Sequence, residues 1–161
     1  APPGSQVDLR TVGLAMEIAA ARRHYHVPLT RTAHIGRPPE AVAKLAQVIV
    51  EGGDCALNAA KPGVTCEEIE AIWQNVLNRN GYSKDSRVGY SIGVNYPPDW
   101  GERTMSFRKG DMTILQAGMT FHFMPALWLD DGGLEITEPI RITEHGAECF
   151  CRTPRALVIK D

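Results

Sequence analysis

From Asp111 to Thr143 the chain reads DMTILQAGMTFHFMPALWLDDGGLEITEPIRIT, with apolar residues recurring at alternate positions. A strand places successive side chains on opposite faces, so Met119, Phe121 and Phe123 share one face and Thr120, His122 and Met124 the other. After Gly132-Gly133 the alternation resumes: Leu134, Ile136, Ile140 and Ile142 form an apolar face, and Glu135 and Thr137 point the other way. Two strands joined by a Gly/Asp-rich connection are expected. A second face carrying His, Met, Glu and Thr is either solvated or wrapped around a polar cavity, and the nearby Trp- and Pro-bearing segments favour the cavity. Glu138 falls on the apolar face, which asks for a bulge or a buried partner and suggests a structural role.

The same period opens the chain. Val12, Leu14, Met16 and Ile18 lie on one side, and Gly13, Ala15, Glu17 and Ala19 on the other. One carboxylate among Gly and Ala fits a ligand-facing acid, and equally a solvated edge residue. A second strand is expected over Arg22–Thr32, with Pro28 marking an edge or a bulge. His24 and His26 would then share a face, and hydrogen-bonded or solvated histidines are commoner there than metal ligands.

Helical spacing follows Arg37-Pro38-Pro39, with Val42, Leu45, Val48 and Ile49 on one stripe. That helix should reach Leu57, weakened or bent at Gly52-Gly53, and stop at Lys61-Pro62-Gly63. Thr65-Cys66-Glu67-Glu68 is a capping box, and Ile69, Ile72, Trp73, Val76 and Leu77 give the next helix a core-facing side. Asn80-Gly81 should end it in a left-handed cap. A short strand within Val88–Gly93, an aromatic and acidic loop over Asn95–Glu102, a turn at Arg108–Asp111, and strands at Ala147–Cys151 and Ala156–Ile159 complete the pattern. Strands, two consecutive helices, then mostly antiparallel strands make the class α+β.

Composition narrows the function. At 161 residues the chain fits a single domain, and a net charge of −2 gives no electrostatic case for nucleic acid or an anionic membrane. No apolar run approaches the ~20 residues of a membrane span. Ala1-Pro2-Pro3-Gly4 carries neither an initiator Met nor a signal-peptide pattern, as expected of a processed chain or a piece of a longer one. Cys55, Cys66, Cys149 and Cys151 fit neither a disulfide framework nor a metal knuckle, so a reduced, cytoplasmic protein is expected. No P-loop, dinucleotide fingerprint, nucleophile elbow, HExxH or internal repeat is present.

Five segments in order carry a resemblance: Thr30-Arg31-Thr32, Lys61-Pro62-Gly63-Val64-Thr65, Gly89-x-Ser91-Ile92-Gly93, Leu115-x-x-Gly118-Met119 and Gly133-x-x-Ile136-x-x-x-Ile140. Together they resemble the larger part of the pita-bread domain of the creatinase and aminopeptidase P (M24) family. RRHYHVPLTRT, VGYSIGVNYPPDWGE, GMTFHFMPALW and GLEITEPI resemble its ectoine hydrolase group most. The resemblance implies a C-terminal catalytic domain spanning residues 1–161 and truncated on its N-terminal side. The N-terminal domain and the catalytic His of the creatinase branch would lie before the first residue, so the chain alone is expected to fold without full turnover.

The peptidases of this family hold two metal ions with five residues. Matched by position, these fall on Glu17, Pro28, Tyr90, Met124 and Thr137. Pro and Met cannot hold a hard divalent ion, so the resemblance implies no metal and no other cofactor. It implies a hydrolase acting on a C–N bond of a cyclic amidine of the ectoine type, in a homodimer. Expected catalytic residues are Glu17, Glu135, His122 (to move protons) and Tyr90 (to donate a hydrogen bond). Tyr96, Trp100, His26, Met124 and Thr137 are expected to face the substrate. The alternatives are a non-catalytic binding module on the same scaffold and a metal-dependent Xaa-Pro aminopeptidase-like enzyme.

Overall fold

A computed structural model describes residues 13–96, 98–130 and 132–161. Strands β1 (Gly13–Arg22) and β2 (Tyr25–Ile35) form an antiparallel hairpin, followed by helices α1 (Glu40–Ala59) and α2 (Cys66–Arg79). Eight further strands follow: β3 (Gly89–Ile92), β4 (Gly101–Phe107), β5 (Thr120–Phe123), β6 (Ala126–Leu129), β7 (Gly132–Glu135), β8 (Glu138–Ile142), β9 (Ala147–Cys149) and β10 (Val158–Lys160). The sheet orders are β1-β2-β10, β4-β3-β5-β8-β9, and the ribbon β6-β7, with β10 parallel to β2. The expected α+β class is realised.

The expected Arg22–Thr32 strand begins later. Arg23 and His24 both take positive φ, 51° and 68°, and make a two-residue turn that pairs Arg22 with Tyr25. A turn of this hand matches the twist of the strands it joins, and Asn-Gly is its usual signature; Arg-His gives no such warning. His24 therefore lies in the turn and does not share a strand face with His26. The expected pair of strands after Asp111 is four. The chain leaves the five-stranded sheet at Met124-Pro125, makes the β6-β7 ribbon, and returns with β8. Part of the segment read as a loop, from Gly101, is strand β4.

Local signals are met where they are strongest. Thr65 Oγ1 accepts from the Glu68 amide while the Glu68 carboxylate accepts from the Thr65 amide, closing the capping box. Gly81 holds φ 79° just beyond α2. Gly52 and Gly53 are contact points rather than weaknesses: a Cβ on Gly52 would lie 2.7 Å from the Trp73 ring, and one on Gly53 3.1 Å from Pro125. They let α1 approach α2 and the sheet closely. The core between helices and sheet holds Ile49, Ile69, Trp73, Leu77, Phe107, Phe121, Phe123 and Ile140.

Glu138 is buried and pairs with Arg31, the structural role its place on an apolar face suggested. Strand β1, like β10, lies open to solvent. All its residues but Ala19 are exposed, including Leu14, Met16 and Ile18 at 50%, 47% and 68%.

Candidate active site

Antiparallel partners point to the same side of a sheet, and the β1–β2 register sets Glu17 against Thr30. Thr30 exchanges backbone and side-chain bonds with Thr137, where the chain passes between β7 and β8. The Thr30 amide donates to Thr137 Oγ1 at 2.7 Å, and the Thr137 amide donates to the Thr30 carbonyl at 3.1 Å. One step along, Thr32 Oγ1 donates to the Glu135 carbonyl and accepts from the Glu135 amide. The hairpin and the 135–137 segment are thereby fastened together, near enough for the Glu17 charge to act on Glu135.

From this seam a chain of polar contacts crosses the sheet. His122, fully buried on β5, has Nε2 2.9 Å from Thr137 Oγ1 and Nδ1 2.9 Å from the Tyr90 hydroxyl. Register places Tyr90 opposite His122 on neighbouring strands. Trp100 Nε1 donates to the same hydroxyl at 2.6 Å. The Arg87 guanidinium lies over the Tyr90 ring, 4.3 Å from its centroid. Tyr90, Trp100, Arg87, Asp99 and Arg103 line a cleft of about 430 Å³.

Electrostatics follow from burial. Desolvation pushes the Glu135 carboxyl up, the Glu17 charge pushes it further, and Lys84 opposes both. Burial also raises the Tyr90 phenol, with Trp100 opposing and Glu17 adding, so it stays protonated. His122 is pushed down to about 3 by burial first and Arg87 second, and is neutral near pH 7. Lys84, whose Nζ donates to the Met124 carbonyl at 3.3 Å, is lowered to about 8 by burial, against the pull of Glu135.

Of the residues singled out by sequence, His122, Tyr90, Trp100 and Thr137 are thus brought into one network; Glu135 is fastened beside it through its backbone, and Glu17 is exposed, in register with Thr30. Met124 contributes its carbonyl to Lys84. His26 is buried, with Nδ1 3.0 Å from the His24 carbonyl, and Tyr96 lies exposed against His24 at the hairpin turn, away from the cleft. Lys84 and Arg87 were missed. Both stand in the irregular segment after α2, where no period or motif marks them.

Lys84 makes a measurable cost. Its folded value, about 8, lies below the ordinary 10.5, so the folded state resists a charge that the unfolded chain holds. The stability this withholds near neutral pH should return as pH rises through 8 toward 10.5. Lys84→Met should raise the urea midpoint at pH 7 and flatten that rise; an unchanged midpoint would mean that the ammonium is solvated.

Residues 11–144 match the family described as Metallopeptidase family M24. The chain belongs to this family. Among M24-type relatives it is similar to the ectoine hydrolase of Halomonas elongata, 47% identical over 149 residues, which cover 92% of this chain and 37% of that protein. It is 28% identical over 148 residues to the Xaa-Pro dipeptidase of Pyrococcus horikoshii, covering 90% of this chain and 41% of that one. The solved structure of dipeptidase PepE from Mycobacterium ulcerans superposes with a TM-score of 0.81 at 27% identity, over 91% of this chain and 39% of the other. The chain therefore spans well under half the length of these M24 relatives.

The family's name implies a metal, and the residues at the matched positions do not fit a pair of hard divalent ions. Pro28 offers no side-chain donor and Met124 a soft thioether. The Tyr90 and Thr137 oxygens are engaged with Trp100, His122 and Thr30. No described helix is long and apolar enough to cross a membrane.

Proposed function

We propose that this chain is part of a metal-independent hydrolase that opens a C–N bond of a cyclic amidine of the ectoine type. The observation that supports this reading is a buried, hydrogen-bonded Tyr90–His122–Thr137 line with the carboxylates of Glu17 and Glu135 near it. The 47% identity to an ectoine hydrolase supports it as well.

A cyclic amidine is protonated near neutral pH and needs an anion beside it. Glu17 and Glu135 supply that charge, and an amidinium between them would offset the burial and the Glu17 repulsion that raise Glu135. Hydrolysis adds water to the amidine carbon, with one water proton passing to a carboxylate base. Breaking one ring C–N bond then leaves an amide at one nitrogen and an amine at the other. The departing nitrogen takes up a proton, which Lys84, with a value of about 8, is suited to give. Arg87 and Arg103, lining the cleft, offer positive charge to a substrate carboxylate.

The test is ring opening of ectoine by the full-length protein after dialysis against a chelator, followed by NMR. Activity should survive the chelator. Glu17→Gln and Glu135→Gln should each lower kcat/KM ten-fold or more, since a charge-assisted hydrogen bond contributes about 1.5–3 kcal/mol. Their thermal midpoints should stay close to the parent's. Activity abolished by the chelator and restored by Mn or Co would sink the reading, as would two Gln variants with parental kinetics.

A further inference from the structure

We infer that Thr137 locks His122 as the Nδ1–H tautomer, making His122 a positioning residue that leaves the Tyr90 hydroxyl proton free to donate into the cleft. The ligand atom it would meet is an oxygen acceptor, carboxylate or oxyanion, beside the positive charge of Arg87.

The proton count runs outward from the seam between β2 and the 135–137 segment. A backbone amide can only donate, so the Thr30 N–H at 2.7 Å occupies one lone pair of Thr137 Oγ1. Thr137 is fully buried. Among the described residues its Oγ1 has one other hydrogen-bonding neighbour, His122 Nε2 at 2.9 Å. Thr30 Oγ1 makes no hydrogen bond, so it does not take the threonine proton. That proton therefore goes to Nε2, which must be the unprotonated ring nitrogen.

A neutral imidazole carries one proton, and it now sits on Nδ1. From there it donates to the Tyr90 oxygen at 2.9 Å. The Trp100 indole N–H, also a pure donor, reaches the same oxygen at 2.6 Å. With two donors on its oxygen, the phenol must send its own proton elsewhere, and Tyr90 borders the cleft shared with Arg87, Trp100 and Arg103. The opposite tautomer would strand the Thr137 proton in a buried site and spend the Tyr90 proton on Nδ1. Burial of His122, with its value near 3, keeps the ring from gaining a second proton and losing the distinction. His122 thus sets the direction of a hydrogen bond two groups away and carries no proton to substrate.

This concerns the resting protein and stands apart from the amidine reading, under which the acceptor would be the substrate carboxylate or the oxyanion formed by water attack. Long-range ¹H–¹⁵N correlation spectra of the ¹⁵N-labelled chain without ligand read the tautomer directly. His122 is assigned by the loss of its signals in His122→Asn. If that variant does not fold, nuclear Overhauser contacts from its ring protons to Tyr90 and Thr137 assign it instead, whatever its tautomer or titration. The expected pattern is a protonated, pyrrole-type Nδ1 and a pyridine-type Nε2. The reverse pattern, or a ring that titrates between pH 5 and 8, overturns the proposal whatever the substrate proves to be.

Discussion

Arg31→Met should destabilise the fold by about 3–5 kcal/mol, because it leaves a buried carboxylate without its partner. Arg31 uses every arm of its guanidinium. Nε donates to the Pro154 carbonyl, Nη2 to the Thr153 carbonyl and Glu138 Oε1, and Nη1 to the carbonyls of Thr30 and Thr137. Glu138 is buried beside it, its second oxygen without a partner among the described residues. Desolvation raises the Glu138 carboxyl and Arg31 pulls it back, so removing the guanidinium leaves the burial opposed only by the charge of Arg155. Urea denaturation measures the loss. The double variant Arg31→Met/Glu138→Met should recover part of it, since no charge then remains unpaired. A single variant with a parental midpoint would show that the carboxylate reaches water.

Acid should weaken the protein strongly through His122. Its folded value, about 3, lies below the ordinary 6.5. The unfolded chain therefore takes up a proton that the folded one refuses. The stabilisation is full above pH 6.5 and is lost as pH falls toward 3. At about 1.4 kcal/mol per pH unit, roughly 4–5 kcal/mol is the upper limit of this single contribution. Glu135 works the other way in the same range, because its raised carboxyl takes a proton more readily when folded. His122→Asn should lower stability at neutral pH and make it fall less steeply between pH 6.5 and 4. An unaltered slope would place the acid-sensitive group elsewhere.

Short-range grammar was legible in the sequence. The capping box at Thr65–Glu68, the stripe through Trp73 and the left-handed Gly81 depend on residues within a few positions of one another, and all three are realised. Period two placed Glu135 with Thr137, and Glu17 apart from Leu14 and Met16. The sequence pattern could not show that Tyr90 meets His122, because that contact depends on the register between β3 and β5. Nor did it show the Arg23-His24 turn, which lacks Gly and Asn, or the role of Lys84, whose altered charge arises only when the chain buries it. Family resemblance supplied the order of the segments, and the structure supplied the direction of each side chain.

Strand β1 has a colloidal consequence. Among the described residues it pairs along one edge only, with β2, and along the other edge alternate residues turn their backbone donors and acceptors outward. Such an edge templates strand addition by a second molecule unless it is covered, charged or broken by a bulge or proline. Of its side chains, Glu17 and Arg22 alone are charged, and Leu14, Met16 and Ile18 present oily ground beside the bare backbone. Handled by itself at high concentration, the chain is set to clump through this edge into β-rich aggregates, and dilute solutions suit its spectroscopy best.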